Sequence, residues 1–230
     1  MRSANPLLVA LLLVAAPAIS HAQFINWLSS NGASGANITG DSDVFTTGTY
    51  VDAFQAATGG FNGKTTTAQT VNGVVFNVND TYTFSDGTFT ISGAGDGTDG
   101  DYPNVGSAAY QAVLADCAYN GTDVTVTMNG LTAGKEYEIE VWNSTPFDDT
   151  ILQGSTMSDT QYLTVGTYAL GTFTAGASNS FTFGNGPAYS GVGTIDALEI
   201  REIPEPSTYA LMGLSLVAIT LAVRRGFRAA

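Results

Sequence analysis

DVTVTMNGLTAGKEYEIEVW, residues 123–142, contains two alternating runs joined by a connector with two glycines. In the first, Val124, Val126 and Met128 alternate with threonines. In the second, Tyr137, Ile139 and Val141 alternate with Glu136, Glu138, Glu140 and Trp142. Period two marks a β-strand, because successive side chains leave the backbone on opposite sides. Each run therefore has one apolar face to bury. The connector, Asn129-Gly130-Leu131-Thr132-Ala133-Gly134, is too long for a two-residue turn, so a looped connection of the kind found in sandwich domains is expected.

The same grammar recurs along the chain. TYVDAF (49–54), TVNGVVFNV (70–78), TYTF (81–84), TFTI (88–91), YALGTFT (168–174), NSFTF (179–183) and TIDALEI (194–200) are short β-branched or alternating runs separated by Gly, Asn or Asp. Together they predict an all-β fold, an antiparallel β-sandwich or jelly roll of about nine to ten strands. Asp86-Gly87, between two aromatic-rich strands, predicts a tight hairpin. One stretch departs from period two. Across residues 105–119, Tyr110, Val113, Leu114 and Cys117 have helical spacing, which predicts one short helix over an end of the sandwich. SGAGDGTDGDYPN (92–104), dense in Gly and Asp, reads as loop.

Both ends differ from this body. MRSANPLLVALLLVAAPAISHA places Arg2 before an apolar run and closes on Ser20-His21-Ala22. That is the pattern of a secretory signal peptide, residues 1–22, cut before Gln23 by signal peptidase. At the other end, IPEPSTYALMGLSLVAITLAVRRGFRAA (203–230) carries an uncharged apolar stretch directly followed by Arg224, Arg225 and Arg228. Residues 208–223 are expected to form a transmembrane helix, slightly short for a hydrocarbon core of about 30 Å. The arginines belong on the cytoplasmic side, so the body lies outside, in agreement with the signal peptide.

Pro204-Glu205-Pro206-Ser207, then an apolar helix, then an Arg-rich tail (224–230) resembles the PEP-CTERM sorting signal of Gram-negative bacteria, across residues 204–230. The resemblance implies that a membrane protease, an exosortase, recognises Pro204, Glu205, Pro206 and Ser207, with Arg224 and Arg225 completing the signal. The body would then pass from a single-pass inner-membrane intermediate to the cell surface or an exopolysaccharide matrix. An ordinary retained membrane anchor is the plainer alternative.

Between the two ends, residues 23–203 form one body of about 180 residues, enough for a substantial core. It contains nineteen Asp and Glu against Lys64, Lys135 and Arg201. So negative a surface repels nucleic acid and anionic lipid, which leaves membrane contact to the C-terminal helix alone. The chain's one histidine, His21, falls in the signal peptide, so the body has no imidazole for Ser-His-Asp or Cys-His catalysis or for a His-ligated metal. Cys117, the one cysteine, cannot form an internal disulfide and sits in an apolar context, as a buried inert thiol would.

Several phrases, among them ITGDSDVFTTGTYVDAF (38–54), VTMNGLTAGKEYEIEVW (126–142) and TIDALEIRE (194–202), resemble an uncharacterised group of secreted jelly-roll modules that often carry this tail. The closing strand is also similar to that of galactose-binding-like jelly rolls, where an Asp in the last strand helps hold a structural calcium. The matching residue is Asp196.

Calcium is accordingly the one candidate cofactor, with Asp41 and Asp43 near the first strands and Asp196 near the last as its candidate ligands. The same aspartates suit turn capping at 41–43 and a solvated position at 196. Asp96, Asp99 and Asp101 miss the EF-hand spacing and read as a solvated loop. Period two also puts Glu138, Glu140 and Trp142 in one row. An exposed row would offer a ring-stacking platform with hydroxyl acceptors for a sugar, or simply the wetted face of the sandwich with Trp142 tucked under the following loop. A glycosidase pair needs two carboxyls in different environments within a cleft, which this row does not provide. The leading expectation is a non-enzymatic surface or matrix protein. A carbohydrate-binding module is the alternative, and a polysaccharide hydrolase the third.

Overall fold

The computed structural model describes residues 25–28, 35–56, 67–79, 84–85, 87–92, 105–115, 117–120, 124–143, 149–152, 161–163, 166–184 and 193–204. The predicted signal peptide, the acidic loop with Asp96, Asp99 and Asp101, and residues 205–230 lie outside them. Among the described residues no helix is long and apolar enough to cross a membrane.

Sixteen strands and one α-helix occur among the described residues. In chain order they are β1 (Asn26–Trp27), β2 (Ala36–Asn37), β3 (Thr49–Ala56), β4 (Gln69–Val71), β5 (Val74–Asn79), β6 (Phe84–Ser85), β7 (Phe89–Ser92), α1 (Ala108–Val113), β8 (Ala118–Asn120), β9 (Val124–Met128), β10 (Glu136–Asn143), β11 (Asp149–Leu152), β12 (Gln161–Leu163), β13 (Thr167–Thr174), β14 (Ser180–Gly184), β15 (Gly193–Ile195) and β16 (Ala197–Glu202). A single 3-10 turn spans Asp41–Asp43. The excess over the expected nine or ten strands comes from pieces of two to four residues, too short to carry a periodic signal of their own.

The large sheet has the order β1-β13-β10-β16-β3-β5-β4, with β2 also paired to β13. The second runs β12-β11-β14-β9-β7-β6, and β15 pairs β8 in a small third sheet. Pairing is antiparallel except between β3 and β5, which run parallel. The fold is thus an open β-sandwich with one parallel pair.

β9 and β10, adjacent in sequence, belong to different sheets. Their connector crosses from one to the other, with the Asn129 N–H donating to Thr88 O, the Gly134 N–H to Ala175 O and the Thr132 N–H to the Tyr137 hydroxyl. The apolar faces read from residues 123–142 therefore meet. Val124, Val126 and Met128 pack in one cluster with Ile139, Val141, Phe54, Leu198 and Ile200. Phe54 of the large sheet meets Phe89 of the second edge to face at 5.3 Å. Burial of each such side chain contributes about 1.5–3 kcal/mol.

The other face of the large sheet is covered too. A second cluster joins Trp142, Ala53 and Ala197 to Phe76, Tyr110, Val113 and Leu114, with Ile38 and Val44 from the segment before β3. α1, capped by the Ser107 hydroxyl accepting from the Tyr110 N–H, lies here rather than at the end of the sandwich. Tyr110, Val113, Leu114 and Cys117 are all buried, as their spacing predicts.

Candidate functional site

The covered outer face is where the sequence-predicted residues gather. Trp142 is 0 % exposed. Its indole N–H donates to the Tyr110 hydroxyl at 3.0 Å, and its ring meets Phe76 edge-on at 5.6 Å. Glu138 and Glu140, at 8 % and 2 % exposure, are buried with it. The exposed row expected from period two is thus corrected. The alternation is right, but the face it defines is roofed by α1 and by the segment running from Ile38 to Gly48, with Phe76 of β5 packed against Trp142. Trp142 presents no platform to a sugar ring.

Register shows what sequence reasoning missed. On β16, Arg201 lies opposite Glu138, and Glu199 lies opposite Glu140. Glu199 is 1 % exposed, and the Arg201 guanidinium is bonded to it through Nε. The signal was present in ALEIRE, which alternates as EYEIEVW does, and in Arg201 being the only arginine between the two ends of the chain. Removing charges from water is costly, and one guanidinium does not offset three carboxylates. Burial, the dominant cause, pushes Glu138 and Glu199 up to about 7, and Arg201 opposes it in both. Burial likewise raises Glu140 well above the usual carboxylate range. The Phe45 N–H opposes that rise, and the charges of Glu199, Glu138 and Asp43 add to it.

Asp41 and Asp43 hold the roof in place. Asp43 accepts from the Thr39 and Gly40 N–H groups and the Thr39 hydroxyl, and Asp41 Oδ1 accepts from the Ser107 N–H at 2.7 Å, tying the turn to α1. Asp196 is buried at the bend between β15 and β16, where its N–H donates to Trp142 O and its carbonyl accepts from the Ala56 N–H. The three aspartates do not assemble. Among the described residues no group of three His, Cys, Asp or Glu side chains could hold a metal ion. Turn capping, one of the two roles the sequence offered for Asp41 and Asp43, is the one the geometry displays.

At 8 %, 2 % and 1 % exposure, Glu138, Glu140 and Glu199 present little surface to a ligand in this arrangement. At the far end of β16 the sheet gives way to the tail. Lys135 Nζ pairs with Glu202 at 3.2 Å, the Ile203 N–H donates to Glu136 O, and Pro204 is exposed.

Fold and tail together define an open β-sandwich whose last strand leads straight into a processing signal. Residues 202–225 match the PEP-CTERM protein-sorting motif, the mark of an exported protein processed by an exosortase. No curated protein matches the chain. Among solved structures, the crystal structure of the ANX1 ectodomain from Arabidopsis thaliana is similar, with 13% identity and a TM-score of 0.42. The match covers 67% of this chain and 42% of that one.

Proposed function

We propose that the chain is a non-enzymatic component of the cell surface or extracellular matrix, delivered there by its tail and released as the β-sandwich body. The sorting motif begins at Glu202, the last residue of β16, and this carries the reading. Pro204 is exposed immediately beyond the sheet, so the protease meets its signal with the folded body close by. An acidic surface with few cations keeps such a body soluble and apart from anionic lipid once released. Its partners on this reading are signal peptidase, an exosortase and the polysaccharide layer in which the body resides.

Fractionation of cells expressing an internally tagged chain tests this. The wild-type body is expected in the surface or matrix fraction. Replacement of Pro204, Glu205 and Pro206 together by Ala is expected to hold the chain in the inner membrane. An unchanged distribution in that variant would overturn the proposal.

A further inference from the structure

The buried carboxylates lie beneath a short segment that is bonded to them. Phe45 donates its N–H to Glu140 Oε2 at 3.0 Å, and Arg201 Nη1 donates to Thr46 O at 3.3 Å and to Gly48 O at 3.5 Å. Both ends of the segment are anchored by other means. Val44 is buried in the outer apolar cluster, with its carbonyl accepting from Asn72 Nδ2 at 3.0 Å. Beyond Gly48, which turns the chain at φ +89°, Thr49 is held in the β3–β16 ladder opposite Glu202. The stretch between these anchors is therefore held down by ionisable groups.

Those groups are over-supplied with acceptors. Among the described residues, Glu138 Oε1, Glu140 Oε1 and Glu199 Oε2 are each buried without a hydrogen-bond partner. Opposed residues in an antiparallel pair have Cβ atoms about 4.5–5.5 Å apart, so Glu140 and Glu199 face each other as like charges when both are ionised. A buried acceptor with no donor is destabilising, and more so when it carries charge. A proton is the smallest ligand that removes both costs, since it cancels the charge and turns one orphaned oxygen into a donor.

We propose that Phe45–Gly48 is a proton-controlled latch, closed while Glu138, Glu140 and Glu199 hold protons between them and released when all three ionise. The elements packed around the cluster bring further titratable groups. β3 contributes Tyr50, whose ring lies 5.7 Å from the Arg201 guanidinium, and Asp52. The 3-10 turn contributes Asp41 and Asp43, α1 contributes Tyr110 and β13 contributes Tyr168. The tyrosines stay neutral, since burial raises all three, Tyr50 to about 12. The Asp43 charge disfavours ionisation of Glu140. Arg201 is then the cation beside Glu138 and Glu199, with Glu140 opposed to Glu199, so rising pH leaves the cluster with an excess of negative charge that release of the segment to water relieves.

Amide hydrogen exchange on the full-length chain from about pH 6 to about pH 9, corrected for intrinsic rates, tests the latch. Phe45 is expected to lose protection by up to about tenfold per pH unit as the last carboxyl ionises, and at every pH to exchange ahead of Ile139 in the sandwich core, which opens only with the whole fold. In Glu140→Gln and, separately, Glu199→Gln, the loss should shrink or disappear. The second variant keeps the test open if the first does not fold. Protection of Phe45 independent of pH, protection of Phe45 equal to that of Ile139 across the range, or a wild-type profile in both variants would overturn the latch.

Discussion

Trp142 and its neighbours on β10 show what a single side chain in this molecule depends on. The sequence marks the strand, its period and the apolar set Tyr137, Ile139 and Val141. It does not say that the opposite set is roofed, because the roof comes from residues about 30 positions before the strand in α1 and about 100 before it in the segment ahead of β3. Burial of a row containing Glu138 and Glu140 breaks the expectation that charges face water, and only register with Glu199 and Arg201 makes the row intelligible. Trp142→Ala removes a fully buried ring and leaves the Tyr110 hydroxyl without its donor. The expected cost is about 3–5 kcal/mol, read from urea unfolding of the variant beside the wild type.

At the scale of elements, the legible features were those with a local cause. The spacing of Tyr110, Val113 and Leu114 gives α1, and the connector 129–134 gives the crossing between sheets. The short edge strands were not legible, because two residues carry no period. β1 is an instance. It pairs Asn26 with Thr172 and Trp27 with Gly171, and its side chains come down on the glycine. A Cβ at Gly171 would sit 2.5 Å from Ile25 Cγ2 and 2.8 Å from Trp27 Cε3. Gly171→Ala should therefore push β1 off β13 or strain it, at about 1–3 kcal/mol. The stability loss would appear in the same urea assay, with lost exchange protection at Leu28, whose N–H donates to Leu170 O.

For the whole molecule the buried carboxylates set an unusual pH dependence. Glu138 and Glu199 ionise near 7 in the fold against an ordinary value of 4.5, so between these values the folded chain holds more protons than the unfolded one. Stability is thus fully present below about 4.5 and is lost as pH rises through about 7, the reverse of ordinary acid denaturation. Melting temperature should fall across that window, and Glu199→Gln should flatten the profile, with each kcal/mol appearing as about 2–4 °C. A melting temperature rising with pH in the wild type would contradict the assignment.

Export is legible at the same scale from the two ends of the sequence, and the match at residues 202–225 agrees with the tail. Intact mass spectrometry of the protein recovered from the cell surface or culture matrix reads the outcome in one spectrum. A species beginning at Gln23 and ending near Pro204 is predicted, whereas a surface-exposed species still carrying the tail through Ala230 would contradict processing at the sorting motif.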